Sequence, residues 1–560
     1  MTSRRFGGWS VLVVTALLGA LLPMTAVPAA AAPTSKVSWS GCYRDLAAEF
    51  AVTYECTTVG VPLDYAQPNG AAVQLALVRL PATGPAPKLG SLFLNPGGPG
   101  GSGVDFALFY GPFADTVWGA TIRQRFDIVG FDPRGVGRST AIKCFGNEKQ
   151  AFQAFPPLPF PTSPDQIGLF EAADGLLADQ CGQRGNKIAD HMSTGNVARD
   201  LDRLRAAVGD QQLTYVGLSY GSYLGVTYAN MFPNRVRSLV IDGVLDPLAW
   251  NNAGAQVPFS TRLRSDQGAQ QTLNRFFQLC DAAGSGCAFA PHSADRYAAL
   301  AQRLRTGPPV PLQDPVTGQT FSLGYQDLIG ITLGSLYDSF SFPSLAELLA
   351  ALEAAAAPTA LGTLLADLSS STGGLVNKRG FPHYQNFAEA FPAVACEDST
   401  NPSSYDTWFA TGVASDAAFG YFGSIWTWAS SPCAQWPLID PAAYRGPYTA
   451  HTANPVLVIG NLYDPATRYQ GAVTVRSLLP NSALITVDAA GHTSLGLSTC
   501  AGTLTGQYLL DPGTAPTIDG TFCPQEFNPF NPPAAAAGTS AAAADLRSTL
   551  MNDIAFRPIR

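Results

Sequence analysis

Short apolar runs alternate with longer amphipathic stretches from about residue 59 onward. Several of these runs are continuously apolar, which is typical of parallel strands that are buried on both faces of a sheet. The alternation of strand-like and helix-like segments predicts an α/β fold with a mostly parallel sheet. The predicted strands span residues 74–80, 91–95, 126–132, 213–216, 236–242, 456–460 and 483–488.

The regular rhythm stops after Asp246 and returns at Asn454. Residues 247–450 are rich in alanine and leucine, then in proline and aromatic residues, and have a helical pattern at 344–357. Because a core strand follows, we interpret residues 247–450 as a mainly helical cap inserted between two core segments, 32–246 and 451–560. An independent domain in series is the weaker alternative. The proline-rich stretch 511–537 predicts an extended covering segment, and a short helix is expected at 541–552.

The first 31 residues have the order of a secretory signal peptide. Arg4 and Arg5 precede an apolar run at 11–22 and small residues at 29–32. The run is shorter than the roughly 20 residues that cross a bilayer, which disfavours a membrane anchor. We therefore expect cleavage after Ala31 and a secreted, extracellular protein.

Composition and charge narrow the possible functions. The 560 residues are 46% hydrophobic and 13% charged, as in globular proteins, and 33 basic against 41 acidic residues leave a net charge of −8. The basic residues do not cluster along one face, which argues against nucleic acid as a partner.

The cysteine pattern fits an exported protein. The ten cysteines are even in number and lack C-x-x-C spacing, so structural disulfides are favoured over a metal site. Pairing neighbours along the sequence is the simplest solution. It predicts the bridges Cys42–Cys56, Cys144–Cys181, Cys280–Cys287, Cys396–Cys433 and Cys500–Cys523.

The most informative motif is Gly217-Leu218-Ser219-Tyr220-Gly221, between a predicted strand and a helix-prone segment. A G-x-S-x-G sequence on such a turn is the nucleophile elbow, whose glycines leave room to present the serine hydroxyl at the end of the strand. Because a serine alone is a weak nucleophile, the interpretation requires a base and oxyanion donors elsewhere in the chain.

Of the five histidines, His492 follows the predicted strand 483–488, where a general base belongs in this type of sheet. The acid that orients it should lie between serine and histidine in the sequence. Asp464 follows the strand 456–460 and is the preferred candidate, with Asp242 and Asp246 as competitors. The predicted triad is therefore Ser219, Asp464 and His492.

The strand 91–95 runs into a glycine-rich loop, Pro96-Gly97-Gly98-Pro99-Gly100-Gly101-Ser102-Gly103. The loop contains a G-x-G-x-x-G pattern, but that pattern alone is weak evidence for a dinucleotide site, and two prolines crowd it. Backbone N–H groups that approach an oxyanion fit better. The expected donors are the amides of Gly98 and Tyr220.

These motifs carry a family resemblance. The Asn95–Gly100 loop, the 131–139 segment Phe-Asp-Pro-Arg-Gly-Val-Gly-Arg-Ser, the elbow, Asp464 and Gly491-His492 occur in the order seen in α/β-hydrolase exopeptidases. The chain resembles secreted tripeptidyl aminopeptidases, which are related to prolyl iminopeptidases, over nearly all of its mature length. Asn95-Pro96 stands where prolyl iminopeptidases usually have a histidine, which favours the tripeptidyl branch.

The resemblance implies an α/β-hydrolase fold and a serine exopeptidase that releases short peptides, tripeptides above all, from free N-termini through an acyl-enzyme. Such an enzyme must hold an α-ammonium group, for which Glu397 and Asp398 beside Cys396 are the candidates. We expect a monomer that acts on peptides or proteins without a metal or organic cofactor. The alternatives are a secreted carboxylesterase or lipase with the same triad, release of single residues as in prolyl iminopeptidases, and a non-catalytic binding protein.

Overall fold

The computed structural model describes residues 37–531, apart from residues 86, 120, 252–255, 314–319 and 355–385. The expected signal peptide at 1–31 and the expected helix at 541–552 lie outside the described residues. Among the helices of the described part, none is both long enough and apolar enough to cross a membrane.

A ten-stranded sheet organises the molecule, in the order β1-β2-β3-β5-β4-β6-β7-β10-β11-β12. From β5 to β12 the neighbouring strands are parallel, whereas β1, β2 and β3 join antiparallel at one edge. A separate antiparallel pair, β8 and β9, lies outside this sheet. The strands are β1 (Ser40–Gly41), β2 (Glu55–Pro62), β3 (Ala72–Leu80), β4 (Gly90–Asn95), β5 (Phe126–Phe131), β6 (Leu213–Leu218), β7 (Val236–Asp242), β8 (Val310–Gln313), β9 (Thr320–Leu323), β10 (Val456–Tyr463), β11 (Ser482–Ala490) and β12 (Phe522–Cys523).

All seven predicted strands are present, with ends shifted by up to three residues, and the predicted α/β fold with a mostly parallel sheet is confirmed. The prediction missed β2, because its polar threonines and glutamate hide a strand that is paired along its whole length with β3. It also missed the two-residue edge strands β1 and β12, which are too short to produce a pattern.

The core lies on both faces of the sheet because alternate side chains of a strand point in opposite directions. In β4, Leu92 and Leu94 pack into one hydrophobic cluster and Phe93 packs into the other. The four strands β4, β5, β6 and β7 are buried at nearly every position, which explains their largely apolar sequences.

Helices cover both faces of the sheet and also occur along the chain segment that joins β7 to β10. Those before β7 are α1 (Arg44–Glu49), α2 (Gly103–Tyr110), α3 (Ala114–Trp118), α4 (Ile122–Arg125), α5 (Glu148–Phe152), α6 (Ile167–Arg184), α7 (Thr194–Val208) and α8 (Tyr220–Met231). Those between β7 and β10 are α9 (Pro247–Asn251), α10 (Phe259–Arg262), α11 (Ser265–Ala283), α12 (Ser293–Thr306), α13 (Tyr325–Leu336), α14 (Phe342–Glu353), α15 (Phe387–Asp398), α16 (Tyr405–Phe419) and α17 (Gly423–Trp428). The remaining helices are α18 (Gln470–Leu478), α19 (Thr499–Leu510) and α20 (Ala515–Ile518).

The sheet topology shows a long insertion between two neighbouring strands. β7 and β10 are adjacent parallel strands, with Val456 opposite Leu239, although residues 243–455 separate them in the sequence. The helical pattern expected at 344–357 corresponds to α14, which ends at Glu353. The division of the chain into core and cap at 247–450 stays an interpretation.

The ten cysteines form five bridges in the structure, and they are the five expected from the sequence. The S–S distances range from 2.01 to 2.06 Å. Cys500–Cys523 ties β12 to α19. Cys396–Cys433 joins two residues that are 37 positions apart in the sequence, and Cys396 lies near the C-terminal end of α15.

Candidate active site

Ser219 lies on a sharp turn between β6 and α8. Its backbone has φ 56° and ψ −124°, an unfavourable region for a residue with a side chain, as expected of a nucleophile elbow. Close packing leaves room only for glycine at Gly217, where an added Cβ would lie 2.2 Å from the Gly221 carbonyl oxygen. The Ser219 N–H donates to the Asp242 carbonyl oxygen at 2.9 Å, which anchors the elbow to β7.

The glycine-rich loop after β4 passes directly against this serine. An added Cβ at Gly97 would lie 2.9 Å from Ser219 Cβ and 2.9 Å from the Tyr220 backbone nitrogen. Gly97 has φ +102° and donates its N–H to Asn95 Oδ1 at 3.0 Å. Within the described residues, the backbone N–H groups of Gly98 and Tyr220 donate to no other backbone group. The two amides expected to act as oxyanion donors thus belong to segments that touch beside Ser219.

Asp464 and His492 form a buried pair at the same edge of the sheet. The Nδ1 atom of His492 lies 2.9 Å from Asp464 Oδ1 and 3.0 Å from Oδ2, and neither side chain is exposed. Burial alone would raise the pKa of Asp464. The charge and hydrogen bond of His492, together with backbone N–H groups of Thr467 and Thr493, outweigh burial and lower the pKa below its usual range. The carboxylate is therefore held in its charged form beside the imidazole.

Three residues that the sequence did not single out hold this pair in place. Thr467 donates its hydroxyl to Asp464 Oδ2 at 2.9 Å, and its Oγ1 lies 3.2 Å from His492 Nδ1. Asn461 in β10 donates to the carbonyls of Gly491 and Thr493, on either side of the histidine. The sequence could have indicated a role for Asn461, because it is the one polar side chain among the first six residues of the apolar strand β10.

The third support is Tyr337, which comes from the segment between β7 and β10. Its carbonyl accepts the His492 N–H at 2.8 Å, and its ring meets the imidazole edge to face at 5.2 Å between centroids. Asp338 forms an isolated antiparallel bridge with Gly491. No sequence signal connects these residues to His492, because they are more than 150 positions apart.

The competing aspartates have other roles. Asp246 accepts the backbone N–H groups of Leu248 and Ala249 and thus begins α9. Asp242 accepts from Ser494, both from its N–H at 2.9 Å and from its hydroxyl at 2.8 Å. Burial raises the pKa of Asp242 to about 6, although the bonds from Ser494 act in the opposite direction.

Glu397 and Asp398 are buried at the C-terminal end of α15, so an ordinary solvated acidic turn is excluded. Glu397 Oε2 accepts the Met192 N–H at 2.9 Å, and Asp398 Oδ1 accepts the Thr194 N–H at 2.9 Å. Burial is the main cause that raises the pKa of Asp398 to about 7 and the pKa of Glu397 well above its usual range. Arg445 donates to their backbone carbonyls and not to the carboxylates.

A short chain of hydrogen bonds connects this acidic pair to the elbow. Asp398 Oδ2 accepts from the Thr194 hydroxyl at 2.6 Å, and that hydroxyl lies 2.5 Å from the Tyr220 hydroxyl. Asp398 Oδ2 also accepts from Trp250 Nε1 at 3.3 Å. The opposite end of α15 packs on the glycine-rich loop, where an added Cβ at Gly98 would lie 3.4 Å from the Phe387 ring.

The parallel sheet, the strained serine after β6 and the Asp–His pair after β10 and β11 place the molecule in the α/β-hydrolase class. Comparison with known proteins agrees with this class. The family model for the alpha/beta hydrolase fold matches residues 90–314, and the model for TAP-like protein matches residues 418–523.

Curated relatives narrow the class to a family. The chain is 31% identical over 499 residues to the tripeptidyl aminopeptidase of Streptomyces coelicolor, which covers 87% of this chain and 86% of the relative. It is 33% identical over 455 residues to serine protease Hip1 of Mycobacterium tuberculosis, covering 78% and 81% of the two chains. It is also 33% identical over 507 residues to carboxylesterase B of Mycobacterium tuberculosis, covering 87% and 90%. The chain belongs to the TAP-like family of serine peptidases of the α/β-hydrolase type.

Proposed function

We propose that the protein is a secreted serine exopeptidase that releases short peptides, in particular tripeptides, from free N-termini of peptides and proteins. The observation that carries the hydrolytic part is the buried Asp464–His492 pair, at the same sheet edge as the strained Ser219. The tripeptidyl aminopeptidase from Streptomyces coelicolor supports the finer assignment by its similarity along most of the chain.

In the proposed mechanism, Ser219 Oγ attacks the scissile carbonyl carbon while His492 removes the hydroxyl proton. Asp464 holds the Nδ1–H of the imidazole and stabilises the imidazolium that forms. The amides of Gly98 and Tyr220 donate to the oxyanion of the tetrahedral intermediate. The amine leaves with the proton from His492, and water then releases the short peptide from the acyl-enzyme.

Recognition of the substrate N-terminus is assigned to Glu397, with Asp398 as its support. Both oxygens of Asp398 already accept hydrogen bonds from Thr194 and Trp250. In the described part of the chain, Glu397 Oε1 is buried and accepts no hydrogen bond. An ammonium group placed there would satisfy this oxygen and favour the ionised carboxylate.

Secretion is the second part of the proposal. It rests on the signal-peptide pattern at 1–31 and on five disulfides, which form and persist in oxidising compartments. N-terminal sequencing of protein from the culture medium should find Ala32 as the first residue. The same preparation is expected to be a monomer by light scattering.

The main test compares three substrates: a tripeptidyl anilide with a free N-terminus, its acetylated form, and a short-chain nitrophenyl ester. The proposal requires rapid hydrolysis of the free tripeptide substrate, strong loss on acetylation, and no activity in Ser219→Ala. The Glu397→Gln variant should lose most of the discrimination between the free and acetylated substrates. Unchanged discrimination in that variant would show that other residues recognise the ammonium group.

A carboxylesterase is the second candidate, because the relative named carboxylesterase B is as similar as Hip1. Preference for the ester and indifference to acetylation would favour it. Release of a single residue, identified by mass spectrometry of the products, would indicate an iminopeptidase-like activity. Failure of a fluorophosphonate to label Ser219 would indicate a non-catalytic protein.

A further inference from the structure

Asp242 contacts the nucleophile turn and the histidine loop at the same time. Its backbone carbonyl accepts the Ser219 N–H at 2.9 Å. Its carboxylate accepts the Ser494 N–H and hydroxyl, two residues beyond His492, at 2.9 and 2.8 Å. One residue at the end of β7 thus connects the segments that carry the proposed nucleophile and the proposed base.

The residue after Asp242 packs tightly against the histidine loop and against the turn that carries Asp464. Gly243 has φ +66°, and an added Cβ there would lie 3.3 Å from His492 Cε1 and 3.0 Å from Thr467 Oγ1. Its N–H donates to the Ile459 carbonyl oxygen in β10 at 3.3 Å. The end of β7 is therefore packed against all three parts of the site, and a shift of Asp242 would be transmitted to each of them.

The surroundings leave the Asp242 carboxylate little freedom. The side chain is 3% exposed, and Ser494 is 5% exposed. The titratable groups that act on the carboxylate of Asp242 are Asp464, which belongs to the turn after β10, and His492. Because His492 Nδ1 bonds Asp464, Asp242 is not the acid of the triad, and its own partner is Ser494 of the histidine loop, through both the N–H and the hydroxyl.

We propose that Asp242 is a positioning residue, which sets the distance between Ser219 and His492 by joining the elbow to the histidine loop through Ser494. The proposal rests on the proposed serine-hydrolase function, but it concerns acylation of Ser219 and not the choice of substrate. A positional error of about 1 Å between reacting groups can lower a rate a hundredfold, so this connection affects turnover more than substrate binding.

The test measures the rate of fluorophosphonate labelling of Ser219, together with kcat and KM for a free-amine peptide anilide. Labelling requires only the activated serine, so it remains informative if the enzyme is an esterase and the peptidase assignment fails. For Asp242→Ala we expect labelling and kcat to fall by about tenfold or more, with KM within about threefold of the wild type. Asp242→Asn keeps an acceptor for the Ser494 N–H and offers an amide donor to its hydroxyl, so it should retain most of the rate.

A matched control removes a buried carboxylate elsewhere. Asp174 in α6 is 2% exposed and accepts from the Tyr405 hydroxyl at 2.9 Å. A folded Asp174→Ala variant should be labelled at the wild-type rate. An equal loss of labelling in this variant would show that the Asp242 effect is general destabilisation.

Asp242→Ala could fail to fold, so a double-mutant cycle provides an independent readout. Asp242→Asn alone keeps the Ser494 hydroxyl as a partner for its amide group, and Ser494→Ala alone keeps the backbone N–H bonded to the Asp242 carboxylate. In the double variant the amide group introduced at position 242 has no hydroxyl to bond. We expect the double variant to lose about tenfold more labelling rate than the product of the single effects. Multiplicative effects in the cycle, or wild-type labelling of folded Asp242→Ala, would overturn the proposal.

Discussion

Tyr337 and His492 are joined twice, by a 2.8 Å backbone hydrogen bond and by an edge-to-face contact of their rings. Tyr337 follows α13, in the long segment between β7 and β10, whereas His492 follows β11 of the central sheet. The proposed base is therefore held partly by a segment that is inserted into the fold and does not belong to the sheet.

The ring contact gives a first prediction. Tyr337→Ala keeps the backbone bond but removes the aromatic surface beside the imidazole, so the ring of His492 gains freedom. We expect kcat to fall about tenfold, with a smaller change in KM. Tyr337→Phe keeps the ring and serves as the control, which should remain much closer to the wild type. Equal losses in the two variants would assign the effect to the hydroxyl group.

Thr467 is expected to matter through Asp464. Thr467→Val keeps the shape of the side chain but removes the hydroxyl donor to Asp464 Oδ2. A hydrogen bond to a charged group contributes about 1.5–3 kcal/mol, so kcat/KM should fall roughly ten- to a hundredfold. Thr467→Ser should recover most of the activity because it restores the donor. If the valine and serine variants are equally active, this hydroxyl does not support the triad.

The Cys396–Cys433 bridge should stabilise the protein more than Cys280–Cys287. The two bridges span sequence separations of 37 and 7 residues, and a longer loop restricts the unfolded chain more strongly. By loop entropy, replacing both cysteines by serine should lower the free energy of unfolding by about 4 kcal/mol in the first case and about 2 kcal/mol in the second. Denaturant unfolding of the two double variants measures the difference, and the reverse order would contradict this explanation.

Asp174 should make stability depend on pH. Burial raises the pKa of Asp174 to about 7, although hydrogen bonds from Ser431 and Tyr405 act in the opposite direction. In the unfolded chain the same carboxyl titrates near 4, so between about pH 4 and pH 7 the folded state binds more protons. The contribution of this group is therefore favourable at low pH and is lost as the pH rises through about 7.

Asp174→Asn removes that titration while it keeps an acceptor for Tyr405. Relative to this variant, the wild type should lose on the order of 2–4 kcal/mol of unfolding free energy between pH 4 and pH 8. Denaturant unfolding at several pH values measures the difference between the two proteins. Parallel stability curves would show that Asp174 stays ionised across this range.

For the acidic pair Glu397 and Asp398, the sequence predicts the rigid surroundings but not the hydrogen-bond partners. The pair lies next to Cys396, which predicts a rigid site, and the structure contains the Cys396–Cys433 bridge and buries both carboxylates. Their partners could not be foreseen, because Thr194 is 204 positions from Asp398 and its contact depends on how α15 packs on the start of α7.

The sequence by itself determined seven of the ten strands of the sheet, the order of the predicted triad and the pairing of the cysteines. These features follow from local causes: continuous apolar runs, glycines at a tight turn, polar residues at strand ends, and cysteines close together along the chain. Only the tertiary structure decided which aspartate meets His492 and that Asp242 instead bonds Ser494. The same holds for Thr467, Asn461 and Tyr337, because their roles arise from contacts between segments that the folding of the sheet brings together.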